Sequence, residues 1–297
     1  MAKRGVTRHR KITPKTLAQE AFDAEVGDLT FEDEPSIAGG DFTSGMVCLY
    51  GPPKVGKSSV AKLIEGAYFL PTEPGFSFLN VRKTKIPNWA TFIAFVKKMK
   101  KKPKLVATVS MWIIDTGDNL SKFAMQYACG REEIGHPTEE EWGRGWEAFR
   151  DEFNYWMLEL CALGPGVMVI CHETEREITV HGMKTTKWGP SLPKTTYALV
   201  NALSDITLQM SFDYGMIKKK TKRVHGKKVR PDDYAHRCLF TKPTQHRDAG
   251  DRSGLLPPKI PFATEQEALD KVNGYLDGTL KKGGDKKKKR TLRKKRK

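Results

Sequence analysis

Cysteine is scarce in this chain and follows no pattern. Cys48, Cys129, Cys161, Cys171 and Cys238 are its five cysteines, spread over 297 residues without a single C-x-x-C pair. An odd, scattered set excludes a disulfide framework and a cysteine-built zinc site, and it fits reduced thiols in a cytoplasmic compartment. Long apolar runs are missing too. No stretch approaches the roughly 18 uninterrupted apolar residues of a membrane span. The basic opening MAKRGVTRHRKITPK is not followed by the apolar segment of a secretory leader. The expectation is a chain with no membrane partner.

Acid is absent where base is dense. Residues 1–15 hold six Lys/Arg and no acid, and residues 281–297 hold twelve with the single acid Asp285. The two ends account for the whole formal net charge of +17, so the body between them is neutral overall. Within that body, GMIKKKTKRVHGKKVR (215–230) carries eight bases and no acid. Such clusters suit a polyanion, because each phosphate neutralised releases a condensed counterion. Any one of them alone could be a solvated, solubilising tail. Three together favour nucleic acid.

What the chain does contain is an alternation of short apolar segments with helical patterns. MVCLY (46–50), AYFLPT (67–72), VSMWIID (109–115) and GVMVICH (166–172) read as strands. SSVAKLIEGA (58–67), NWATFIAFVKKMKKK (88–102) and EWGRGWEAFRDEFNYWMLELCAL (141–163) read as helices. In the last, Trp142, Trp146, Phe149, Phe153, Trp156 and Leu160 recur at helical steps, a stripe that belongs in a core. YALVNALSDITLQMSF (197–212) reads as helix then strand. The alternation predicts an α/β fold, a mostly parallel sheet covered by helices on both faces. The predicted organisation is a basic arm (1–40), a core (41–277) and a Lys/Arg-rich tail (278–297) too charged to bury anything and expected to stay disordered. A basic β-hairpin is expected at about 213–236.

GPPKVGKSS (51–59) fits G-x-x-x-x-G-K-[ST] between a strand and a helix, the context a phosphate-binding loop requires. Gly51, Pro52, Pro53, Lys54, Val55, Gly56, Lys57, Ser58 and Ser59 are its expected nucleotide contacts. Glycines let successive backbone N–H groups face one anion. The Lys57 ammonium suits the β- and γ-phosphates of ATP, and the Ser58 hydroxyl suits Mg²⁺. Lys54 either adds charge near the phosphates or points to water. Asp115, at the end of MWIID, is the expected second metal-side carboxylate, with Asp118 as a helix cap for NLSKFAMQYA. To orient or deprotonate water, Glu73 after YFLPT is the first candidate, with Glu173 and Asp118 as rivals. His172 closes a buried strand, where a polar side chain can face a γ-phosphate.

The ordered set GPPKVGKSS, FLPTEPG, WIIDTGDNL, GWEAFRDEF, VICHETE and TKPTQHRDAGDRSGLLPPKI, spanning about 46–262, resembles the RecA-like P-loop ATPase core. More narrowly it is similar to the phage-encoded AAA ATP-binding proteins related to recombinases and single-strand annealing proteins. The resemblance implies that Glu73 polarises the attacking water and that His172 senses the γ-phosphate. It implies that Lys242, in FTKPT, completes the active site of a neighbouring subunit in a ring or filament. It also implies single-stranded DNA contacts on a loop at 173–194, with Arg176, Lys184, Lys187, Trp188 and Lys194 tracking backbone and stacking bases. A companion loop, about 128–145, departs from this by being acidic. The hairpin would add Lys218, Lys219, Lys220, Lys222, Arg223, Lys227 and Lys228. The activity implied is a DNA-dependent ATPase of phage recombination, annealing or exchanging strands in the bacterial host cytoplasm, in company with a single-strand-binding protein. A ring helicase or translocating motor is the alternative reading, and a small-molecule P-loop kinase a more distant one.

Overall fold

Every residue of β1 (Met46–Gly51) is buried, and its side chains part between two cores. Met46, Cys48 and Tyr50 enter one core, Val47 and Leu49 the other. A strand apolar on both faces must have cover on both faces, and the same division holds in its neighbours. In β4 (Met111–Asp115) Trp112 and Ile114 face the first core while Met111 and Ile113 face the second. In β5 (Gly166–Val180) Val167, Val169 and Cys171 oppose Met168 and Ile170.

The computed structural model describes residues 40–139, 143–180, 182–213 and 236–282. The remaining strands are β2 (Ala67–Pro71), β3 (Arg82–Lys83), β6 (Met183–Pro190), β7 (Ile206–Asp213), β8 (His236–Phe240), β9 (Gly250–Asp251) and β10 (Lys259–Phe262). The main path of the sheet runs β10-β8-β7-β1-β5-β4-β2-β3. From β7 to β3 all neighbours are parallel; β8 and β10 join antiparallel. The first core is closed by helices α2 (Trp89–Lys100), α4 (Gly117–Arg131), α5 (Arg144–Cys161) and α6 (Lys194–Leu203). The second is closed by α1 (Lys57–Ala61) and α7 (Glu265–Leu276). A short α3 (Pro103–Val106) follows α2. The expected α/β class is therefore observed: a mostly parallel sheet covered on both faces, with β1 near its middle.

The aromatic stripe of α5 behaves as core. Phe149, Phe153, Trp156 and Leu160 are buried, and Phe153 stacks on Trp89 of α2 at 5.8 Å between ring centroids. Trp89 also donates from its indole Nε1 to Glu152 at 2.9 Å, so one ring is held on both its apolar and its polar side. Trp142 lies outside the described residues.

Three boundaries differ from expectation. The helix after the loop is only Lys57–Ala61, and tighter turns carry the chain from Leu63 and Ile64 to Gly66 at φ 75. An added Cβ at Gly66 would lie 3.0 Å from the Ser110 hydroxyl, so the chain turns there into β2. The long helix begins at Arg144, preceded by Gly143 in the left-handed region. Finally β5 does not stop at His172 but runs on to Val180. Gly182, at φ 80, then turns the chain back along β6, so the expected loop at 173–194 is largely a β-hairpin. Thr174, Ile178, Thr179, Thr185 and Thr186 supply the β-branched side chains that such a ladder accommodates. Residues 1–39 of the arm and 283–297 of the tail lie outside the described residues; at the start of the tail, Thr279 Oγ1 donates to the Gly274 carbonyl at 3.2 Å and Lys282 to the Gly254 carbonyl. β7 and β8 pair antiparallel as far as Asp213 opposite His236; the residues between them, where the basic hairpin is expected, lie outside the described residues.

Replacing Phe153 by alanine should cost about 3–5 kcal/mol of stability, because the cavity forms between rigid neighbours Trp89 and Phe149. Urea unfolding of Phe153→Ala checks this, with a shift in midpoint at unchanged slope as the expected form.

Candidate functional site

Parallel strands place all their carboxyl ends on one edge of a sheet, which is where open α/β sheets bind ligands. The phosphate-loop candidate follows β1 at that edge. Its conformation needs two special positions. At Gly51 an added Cβ would lie 2.0 Å from the Met210 carbonyl oxygen on β7. Gly56 adopts φ 111 and precedes α1, so the first N–H groups of that helix face outward unpaired along its axis. Lys54 also adopts positive φ, 62; left- and right-handed residues in succession form an anion-binding nest. The Lys54 side chain is exposed, while Val55 is buried and pins the loop to the second core.

Lys57 is only 6% exposed. Its ammonium donates to the carbonyls of Gly51 and Pro52, each at 2.8 Å. Burial pulls its pKa down, and Asp115, Asp118 and Glu173 act in the opposite direction. The Ser58 hydroxyl donates to Asp115 Oδ2 at 2.5 Å. Asp115 is buried at the end of β4, and burial pushes its pKa up against the opposing Ser58 hydrogen bond and Lys57 charge. These pairings satisfy the loop's charged groups internally. A hydroxyl and a carboxylate in mutual contact are hard oxygen donors that suit Mg²⁺.

The remaining acids gather on the same edge. Glu73 follows β2, and its Oε1 accepts from Thr116 Oγ1 and Asn119 Nδ2, both at 3.0 Å. Among the described residues its second oxygen has no hydrogen-bond partner. Thr72 and Thr116 clasp the ends of β2 and β4: Thr116 N–H donates to Thr72 Oγ1 at 2.8 Å, and that hydroxyl donates to the Thr116 carbonyl at 2.9 Å. His172 lies beside Gly51 in the ladder, its Nε2 3.6 Å from Glu73 Oε1. Its Nδ1 is buried without a partner. Glu173 instead accepts from Gln209 Nε2 at 3.1 Å.

Asp118 corrects the sequence reading. Thr116, not Asp118, is the N-cap of α4. Asp118 is buried in the first turn, accepts the His172 backbone N–H at 2.9 Å, and is pushed up to about 6 by burial. Its Oδ1 has no partner. Asp118 thus ties α4 to β5 directly beneath His172. Gln209, Thr72, Thr116 and Asn119 were missed by the sequence reading. Gln209 had left a signal, being a lone amide in the apolar run ITLQM, 4% exposed.

The expected nucleic-acid residues are treated differently. Arg176 is spent inside the fold, donating to the carbonyls of Pro190 and Leu192 and lying over the Tyr197 ring at 4.3 Å. Lys187 pairs with Asp248 at 2.5 Å, and Lys184 with Glu177 at 2.7 Å. Trp188 is 38% exposed on the face that carries Glu175 and Glu177. Lys194 is exposed at the start of α6. Over the described hairpin, Glu173, Glu175 and Glu177 balance Arg176, Lys184 and Lys187. Lys242 follows β8, exposed, and no hydrogen bond or ion pair joins it to the Lys57 cluster among the described residues. Lys218, Lys219, Lys220, Lys222, Arg223, Lys227 and Lys228 lie outside the described residues. Among the described residues, no helix is long and apolar enough to cross a membrane, and no His, Cys, Asp and Glu gather to hold a metal.

Fold and site together define a P-loop NTPase core. A family model, the AAA domain, matches residues 43–253, more than two thirds of the chain. The chain belongs to the AAA domain family. No curated protein matches. Of the 260 solved chains that match, one is the crystal structure of the RadB recombinase. It is 16% identical over 58% of this chain and 76% of that one, with a TM-score of 0.35.

The raised Asp118 pKa has a definite sign. An acid whose folded pKa exceeds its ordinary 3.8 favours the fold when protonated, so its contribution is full below 3.8 and lost as pH rises through about 6. Asp118→Asn cannot ionise. Its unfolding free energy relative to wild type should climb between pH 4 and 6 and then level, as measured by urea titrations of the nucleotide-free protein at each pH.

Proposed function

We propose that this chain binds ATP with Mg²⁺ and hydrolyses it in response to single-stranded DNA, in the service of strand annealing or exchange. One observation carries the hydrolytic half: Lys57, Ser58, Asp115, Glu73 and His172, from or beside four adjacent strands, converge on one edge of the sheet. Phosphoryl transfer needs positioning and charge compensation more than covalent chemistry from the protein. Lys57 supplies a buried cation that can exchange its two carbonyl partners for phosphate oxygens. Ser58 and Asp115 would hold the metal, which when bound offsets the negative charge of the transferring group. Glu73 is fixed through one oxygen by Thr116 and Asn119, which leaves the other to accept a proton from water. Asp118 fixes the backbone of His172, so the histidine is a rigid sensor at the strand beside the loop.

The nucleic-acid half rests on the basic clusters of the sequence, at 1–15, 215–230 and 281–297. The charge-balanced hairpin is a weaker candidate for tracking phosphates than these. Assembly into a ring or filament, with Lys242 reaching a neighbour's site, belongs to the same reading.

Lys57→Ala should abolish ATP binding in a fluorescent-nucleotide titration. Glu73→Gln should keep binding while turnover falls about 10²–10⁴-fold, the range for loss of a general base. A near wild-type rate would remove Glu73 from the chemistry. Addition of oligodeoxythymidylate should raise wild-type turnover, and more so at low salt; an indifferent rate and no binding would end the nucleic-acid reading while leaving the ATPase intact.

A further inference from the structure

At the opposite edge of the sheet, across from the nucleotide site, lies a surface the ATPase chemistry does not use. The end of α2 and the start of α3 carry Lys97, Lys98, Lys100, Lys101, Lys102 and Lys104, all exposed. Two of them have partners on α5: Lys100 pairs with Glu159, and Lys97 lies over the Trp156 ring at 5.4 Å. Among the described residues, Lys98, Lys101, Lys102 and Lys104 have no ion pair. These positive groups cluster where the carbonyl end of α2 carries partial negative charge, which offsets a small part of their mutual repulsion.

Beside them opens a cavity of about 650 Å³. Met99, Pro103, Val106, Val109, Leu163 and Pro165 line it, with Lys100 at its margin. The volume lies within the roughly 300–1,000 Å³ typical of ligand sites. Val109 closely precedes β4 and Pro165 immediately precedes β5, so the cavity sits at the amino ends of these strands while Asp115 and His172 stand toward the other end. A basic rim around an aliphatic hollow asks for an anionic ligand with an apolar anchor.

We propose that this surface docks an acidic peptide segment of a partner protein, with carboxylates on the lysine rim and one bulky apolar side chain in the cavity. Charge complementarity selects the acidic partner. The lining selects peptide over polynucleotide: bases are held by stacking on flat aromatic faces, and none of the residues lining this cavity is aromatic. Recognition of this kind combines point-charge attraction, which steers and weakens with salt, and a hydrophobic anchor, which does not. The inference stands independently of the nucleotide reading, since no residue of either site is shared.

The test uses the full chain and a short fluorescein-labelled peptide of aspartate and serine with one phenylalanine, followed by anisotropy. The other basic clusters attract any polyanion, so discrimination rests on two comparisons. Lys101→Glu with Lys104→Glu should weaken peptide binding by about tenfold, with the thermal transition and ATP turnover of the variant unchanged. Val106→Asn, which places an uncharged polar group in the hollow, should weaken the phenylalanine peptide and leave a phenylalanine-free version unaffected. Equal binding of both peptides by the wild type would reduce the rim to a solvated cation face and overturn the proposal. Loss of oligodeoxythymidylate binding in the lysine variant, with peptide binding intact, would overturn it in favour of a nucleic-acid surface.

Discussion

The structure depends on keeping one ammonium buried. Lys57 sits 6% exposed among Asp115, Asp118 and Glu173, and a desolvated charge persists only where opposite charge and hydrogen bonds replace water. Two loop carbonyls supply the hydrogen bonds, and the acids supply the field. That arrangement forces the rest. Acids from β4, α4 and β5 reach one ammonium only if their strands end on the same edge, which a parallel sheet guarantees and an antiparallel one does not. The mutual price is visible on the acids, for burial raises Asp115 and Asp118 alike. A site so balanced responds strongly to a new anion, because Lys57 then has a better partner than two carbonyls.

Rigidity around that charge comes from small polar contacts. The Thr72–Thr116 clasp joins the tips of β2 and β4 by reciprocal bonds, and the Thr116 hydroxyl reaches from this clasp to Glu73. Glu73 and Asp115 are thereby held relative to each other through a short hydroxyl-to-backbone link and not through long side chains. Asp118 does the same between α4 and β5. Each device is a short side chain with few rotatable bonds, so little conformational entropy is lost in fixing it.

Much of this was legible in the sequence. The glycine loop and Asp115 carry their own context, a strand on one side and a required residue type at a fixed step. The two-faced apolar strands announced a covered parallel sheet, and the α5 stripe announced core. What sequence could not give is which polar groups meet across strands. Thr72 and Thr116 are ordinary loop residues until β2 and β4 lie side by side. Asp118 has the position of a helix cap, and only the neighbouring strand reveals that its acceptor serves His172. Arg176 reads as a free cation, and packing against Tyr197 consumes it. The hairpin escaped because alternation of charged residues with threonines, HETEREITV, has no apolar face to mark a strand.

That hairpin connects the site to the surface by a continuous ladder. β5 pairs with β1 up to Gly51 opposite His172 and then, without interruption, with β6. Its base is fastened at several points: Tyr50, the residue before the loop, donates its hydroxyl to the Asp248 carbonyl, and Asp248 in turn accepts from Tyr197 at 2.7 Å and pairs with Lys187. Burial pushes the Tyr50 hydroxyl far up, so it remains a donor. The strand before the phosphate loop, the hairpin and α6 therefore share one hydrogen-bonded node. From Glu173 to Val180 β5 pairs with β6 alone, so the hairpin is tied to the site by the strand's own backbone and by this node. The length of β5 beyond His172 thus joins the hairpin and the nucleotide site in one strand.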